Sequence, residues 1–160
     1  GSAERRWPHD RWIALLEYLR ARRPLATIAV IGMANEWNAV QDVARSAGAS
    51  AVPAPRLRDA LALVASANHV ITSNTSITHA ASAFRIPTVL LLERGHDQWG
   101  PWDTPAEIAY WSGPDVRSLD VPTAIAALDR FLISHPAIAE TVERHPEVSP
   151  VSRASYPLSR

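Results

Sequence analysis

Short apolar runs of strand length alternate with helix-periodic stretches along most of this chain, and that alternation sets the fold class. The runs ATIAVI (26–31), HVIT (69–72) and PTVLLL (87–92) are rich in β-branched and aliphatic residues. Runs without polar alternation mark strands covered on both faces. Between them, apolar residues recur every three or four positions. Trp12, Leu15, Leu16 and Leu19 predict a helix over 9–22, with Pro8 at its start and Pro24 beyond its end. Val40, Val43 and Ala44 predict a second over 36–47, stopped by Gly48, and Leu57, Leu61 and Val64 a third over 56–67. An Ala-rich helix is expected over 77–84 and others over 123–133 and 137–144. Residues 51–52 and 108–111 read as short strands. Strands joined through helices form right-handed βαβ units, so the expectation is an α/β fold: a parallel sheet flanked by helices. The 160 residues fit one domain. It is expected over 1–134, with a C-terminal helix and peripheral tail over 135–160, where Pro and Ser become dense.

Composition closes several chemistries. Sixteen cationic residues balance sixteen acidic ones, which leaves no broad electrostatic footprint for nucleic acid or an acidic membrane. Every cation is Arg, so a lysine Schiff base and a P-loop lysine are excluded. Cysteine is also missing, and with it disulfides, thiolate nucleophiles and Cys-ligated zinc. The six His show no metal-ligand spacing. No apolar run approaches the roughly 18–20 residues that span a bilayer. G-x-G-x-x-G, G-x-S-x-G and Asp-x-Asp do not occur. A phosphate contact here must therefore come from Arg, backbone N–H groups, hydroxyls or His.

In parallel α/β sheets, ligands bind where strand ends lead into helices. Four such segments stand out. In Thr72-Ser73-Asn74-Thr75-Ser76-Ile77-Thr78-His79, a strand gives way to small polar residues and an Ala-rich helix. Free N–H groups and a positive dipole end there suit phosphate, with Thr75 and Ser76 as hydroxyl donors and His79 one turn in. The same residues also read as a helix cap by Asn74 or Thr75 with a buried His79. Arg5-Arg6-Trp7-Pro8 opens the first helix; it offers a guanidinium fork for phosphate, or a solvated Arg pair beside a structural Trp. In Gly32-Met33-Ala34-Asn35-Glu36, the acid accepts from a ribose diol or complements a helix dipole. The loop over 93–104, with Trp99, Gly100, Pro101 and Trp102, either lines a cleft or staples itself to the core.

Taken in order, these four motifs resemble glycosyltransferase family 9, the heptosyltransferase-like enzymes. That family shows Lys/Arg-x-Trp-Pro, a Gly-containing strand end followed by Glu, Asp-Thr-Gly/Ser-x-x-His, and Trp-Gly-Pro. The likeness covers residue 1 to about 102. It implies the Rossmann-like C-terminal domain of a GT-B enzyme, holding a nucleotide-sugar donor, commonly ADP-heptose, without metal or other cofactor. By position it makes Ser2, Arg5, Asn74, Thr75, Ser76 and His79 donor- and phosphate-binding residues. Glu36, Pro55 and Leu57 fall to the nucleoside. Asn74 stands where the family has Asp. No catalytic residue is expected in this chain, because the family places its general base in the N-terminal acceptor domain. The acceptor, a glycan or other hydroxyl compound, would bind there, and this chain alone is expected to be inactive. Gly1-Ser2 reads either as an expression remnant or as the end of the family's Pro-Gly-Ser/Ala turn. The resemblance further implies a cytoplasmic location, the inner face of a bacterial membrane included. A degenerate, non-catalytic GT-B module for protein contact and half of a sugar-nucleotide epimerase remain alternatives.

Overall fold

Pro8 lacks the N–H that a helix start leaves unused, and its carbonyl accepts from Arg11 and Trp12 at 3.2 and 3.1 Å. Helix α1 (His9–Arg22) follows, with the expected bounds. The computed structural model describes residues 6–136. Ser2, Arg5 and the helix expected over 137–144 lie outside the described residues.

Strand β1 (Ala29–Val30) pairs in parallel with β2 (Ser50–Ala51). Helix α2 (Trp37–Ser46), preceded by a 3₁₀ turn over Ala34–Glu36, connects them. Helix α3 (Leu57–Ser66) then leads to β3 (Val70–Ser73), and α4 (Ser76–Ala83) leads to β4 (Thr88–Glu93). Strand β5 (Ala106–Trp111) and helix α5 (Val121–Ser134) complete the described elements. Strands β3, β4 and β5 form a second parallel sheet in that spatial order, with Val70 opposite Thr88 and Thr88 opposite Ala106. Helices α2, α1 and α5 pack side by side, while α3 packs against α4.

The expected α/β class, parallel strands flanked by helices, is what the structure has, with the hydrogen-bonded strands in two parallel sheets because β1 and β3 are not paired with each other. One expectation is corrected. Residues 26–31 were expected as one strand covered on both faces, yet only Ala29 and Val30 are paired and Ala29 is exposed. With a hydrogen-bonded neighbour on one side alone among the described residues, β1 is short and partly uncovered. Strand β4 is the opposite case: flanked on both sides, it buries Val89, Leu90, Leu91 and Leu92 completely.

Three apolar clusters result. The largest gathers Trp7, Leu15, Val89, Leu91, Trp111, Leu128 and Phe131 beneath α1 and α5. A smaller one joins Leu16, Ile28, Val43 and Ala47, and a third Val64, Val70, Ala80 and Ala81. Successive residues of α1, Leu15 and Leu16, enter different clusters, whereas Trp12 and Leu19 touch both. Helix α1 therefore bridges the two sheets.

Candidate functional site

The carboxyl ends of β1 and β2 open into a hollow of about 260 Å³ lined by Gly32, Ala34, Trp37, Pro53, Ala54 and Pro55. Small residues, two prolines and one indole make a flat apolar space, the kind that accepts an aromatic ring while a few polar groups fix orientation. Gly32 is required by packing, since a Cβ there would sit 2.6 Å from Val40 Cγ2. A wider groove of about 550 Å³ shares Pro53 and Pro55 and continues along α3. In its wall Arg56 makes two hydrogen bonds of 2.8 Å to the carboxylate of Asp59. Those bonds hold the Asp59 carboxyl below its ordinary value.

Glu36 lies beside this hollow. Its Oε2 accepts from the Met33 N–H at 3.2 Å, and its Oε1 lies 3.0 Å from Arg6 Nε. The carboxylate thus closes the 3₁₀ turn and anchors the arginine next to Arg5. It keeps accepting capacity beyond these two partners, since a carboxylate has about four lone-pair positions. Pro55 lines both spaces; Leu57 is 67% exposed and lines neither.

At the second strand end, the Asn74 N–H extends the ladder to the Leu91 carbonyl at 3.1 Å. Thr75 caps α4: its Oγ1 accepts from the Ile77 N–H at 3.2 Å. Thr78, fully buried, returns its hydroxyl toward the Thr75 N–H and the Ser73 carbonyl. The cap is therefore Thr75, not Asn74. Ser76 is exposed, Asn74 is half-buried, and the Asn74 side chain makes no hydrogen bond to another described residue. His79 is exposed rather than buried, and its ring meets that of Trp99 edge-on with centroids 6.4 Å apart. Of the first-turn N–H groups, that of Ile77 is taken by the cap, that of Thr75 by Thr78 Oγ1 and that of Thr78 by the Thr75 carbonyl, so among the described residues the Ser76 N–H is the one left at the dipole's positive end.

Trp7 belongs to the core. It is 2% exposed, donates from Nε1 to the Leu119 carbonyl at 2.9 Å, and meets Trp12 at 90°. Sequence reasoning missed Trp37, Pro53 and Ala54 as lining residues. Their signal was position: Pro53 and Ala54 come just after the end of β2, and Trp37 opens the helix that follows β1. Trp37 was absorbed into the helix periodicity. Among the described residues no group of three or more His, Asp or Glu is placed to hold a metal ion, and no helix is long and apolar enough to cross a membrane.

These strand-end loops lie where parallel α/β domains place their ligand sites. The model of glycosyltransferase family 9 (heptosyltransferase) matches residues 2–120, and the chain belongs to that family. Among solved structures it is similar to a family 9 glycosyl transferase from Veillonella parvula (TM-score 0.69, 19% identity, covering 84% of this chain and 44% of that one). It also resembles the E. coli ADP-heptose LPS heptosyltransferase II (0.62, 17%, 84% and 45%). A third likeness is to the E. coli heptosyltransferase WaaC with ADP (0.68, 16%, 81% and 41%). The chain spans less than half the length of these structures. No curated protein matches it.

Proposed function

We propose that this chain is the donor-binding part of a heptosyltransferase-like glycosyltransferase, taking a nucleoside diphosphate sugar of the ADP-heptose type. The observation that carries the reading is the hollow between Trp37 and Pro53–Pro55, next to a carboxylate that retains accepting capacity. An adenine fits the indole-and-proline walls, and Glu36 accepts from the ribose diol. Pro55 lies on the nucleoside side, with Leu57 at its outer margin. The diphosphate lies at the α4 entrance against Asn74, Thr75, Ser76 and His79, with Ser2 and Arg5 as further partners. In the intact enzyme an acceptor hydroxyl attacks the anomeric carbon, the new C–O bond forms with inversion, and the nucleoside diphosphate departs. The acceptor's proton goes to a base outside this chain. Arg5, His79 and the α4 dipole stabilise charge on the departing diphosphate, a term that weighs heavily in such transfers.

Calorimetric titration of ADP, UDP and GDP tests this. ADP is expected to bind best, and Arg5→Ala and His79→Ala each to weaken it by roughly tenfold, the worth of one charge-assisted hydrogen bond. ADP binding indifferent to both substitutions would sink the assignment. Asn74 favours a second reading, a donor domain kept for protein contact, because an amide lacks the charge of the family's Asp. If Asn74→Asp in the full-length protein gains neither donor affinity nor transfer, that second reading stands.

A further inference from the structure

Trp99 is 51% exposed, although an indole gains more from burial than almost any other side chain. A braced turn keeps it there. The 3₁₀ turn Asp97–Trp99 is closed by the Trp99 N–H donating to the His96 carbonyl and the Gly100 N–H to the Asp97 carbonyl, both at 2.9 Å. The Asp97 carboxylate accepts from the Tyr110 hydroxyl on β5. Arg94 lies over the Tyr110 ring, 5.1 Å from its centroid. A ring presented on so constrained a turn has little freedom left to lose when something settles on it.

The ring also has a defined neighbour. His79 is the fourth residue of α4, and helical side chains lean toward the helix N-terminus, so the His79–Trp99 pair stands at the α4 entrance. We infer that Trp99 is the platform for the donor's sugar ring, and hence a residue that separates the sugar nucleotide from the free nucleotide. The inference rests on the donor reading above. A sugar joined to a diphosphate at that entrance lies one bond beyond the phosphates, beside the indole. A pyranose offers a face of C–H groups, which an electron-rich aromatic face attracts while excluding water. Trp102 supplies the contrast: it is 84% exposed, and its backbone N–H donates to Ser82 Oγ at 3.1 Å.

The experiment titrates ADP and ADP-2-deoxy-2-fluoro-heptose into the parent chain and into Trp99→Ala, Trp99→Phe and Trp102→Ala, with circular dichroism to establish that each is folded. The parent should bind the sugar nucleotide more tightly than ADP. Trp99→Ala should weaken the sugar nucleotide by roughly tenfold while ADP moves by less than about twofold. Trp99→Phe should keep most of the preference, and Trp102→Ala all of it. A Trp99→Ala variant that changes both ligands equally, or neither, overturns the platform and leaves the donor reading intact. A parent that binds neither ligand overturns both.

Discussion

Replacing Trp7 by Phe separates a structural tryptophan from a ligand-binding one. The indole is 2% exposed, lies edge-on to Trp12 with centroids 5.1 Å apart, and donates to the Leu119 carbonyl at 2.9 Å. A phenyl ring in its place gives up roughly 40 Å² of buried apolar surface, or about 1 kcal/mol at ~25 cal/mol per Å². Loss of the N–H···O bond adds about 1 kcal/mol. The Leu119 carbonyl is not orphaned, because Arg11 Nη1 also donates to it, so the larger penalty for a bare buried acceptor does not apply. The expected cost is therefore about 2 kcal/mol, against about 3–5 kcal/mol for Trp7→Ala, which leaves a cavity. Urea unfolding followed by far-ultraviolet circular dichroism measures it as a lowered midpoint with an unchanged slope. ADP affinity of the folded variant should stay at the parent value. A destabilisation below about 0.5 kcal/mol, or a selective loss of ADP binding, would refute the reasoning.

Two further perturbations are specific. Burial, with His135 and Arg23 nearby, pushes the His69 imidazole below its ordinary value of about 6.5, so on acidification the unfolded chain takes up its proton first. This contribution to stability is whole above about pH 6.5 and is lost progressively as pH falls toward the depressed native value. Denaturation midpoints across pH 5–8 (about three units) should show that decline in the parent and less of it in His69→Gln; a parent whose stability rises on acidification there contradicts it. Gly32→Ala places a methyl 2.6 Å from Val40 Cγ2 and should cost about 1–3 kcal/mol by overpacking. An unchanged midpoint would mean that α2 yields freely at that contact.

What was legible in the sequence followed periodicity. The bounds of α1 were readable because Pro8, the Trp12–Leu19 stripe and Pro24 agree on one segment. Strand β4 was readable because both of its faces are covered, leaving a continuous aliphatic run. Strand β1 was not, since apolar composition does not report whether a strand has one hydrogen-bonded neighbour or two. At the α4 entrance the polar residues announced a cap, but local preference does not choose between Asn74 and Thr75. The choice falls to Thr75 because the buried Thr78 hydroxyl completes the same turn. Glu36 was expected to face a ribose or a helix dipole, and its pairing with Arg6 joins segments thirty residues apart, beyond the reach of spacing arguments. Trp37 shows the commonest ambiguity: one apolar residue serves a helix face in the pattern and a hollow in the fold.

The unpaired seam between the two sheets bears on cooperativity. Among the described residues no ladder hydrogen bond ties β1–β2 to β3–β4–β5, so the unit of β1, α2 and β2 can open without breaking a ladder bond of the larger sheet. What couples the halves is side-chain packing through α1, chiefly Trp12 and Leu19, which belong to both clusters. The cluster that holds this unit has four buried members against thirteen in the largest, which places the unit toward the low end of the molecule's range of opening free energies. The hollow proposed for the nucleoside is built on that weaker half. A base seated between Trp37 and Pro53–Pro55 would spend part of its binding energy on holding the unit closed, and one face of one helix would carry that ordering to the rest of the chain.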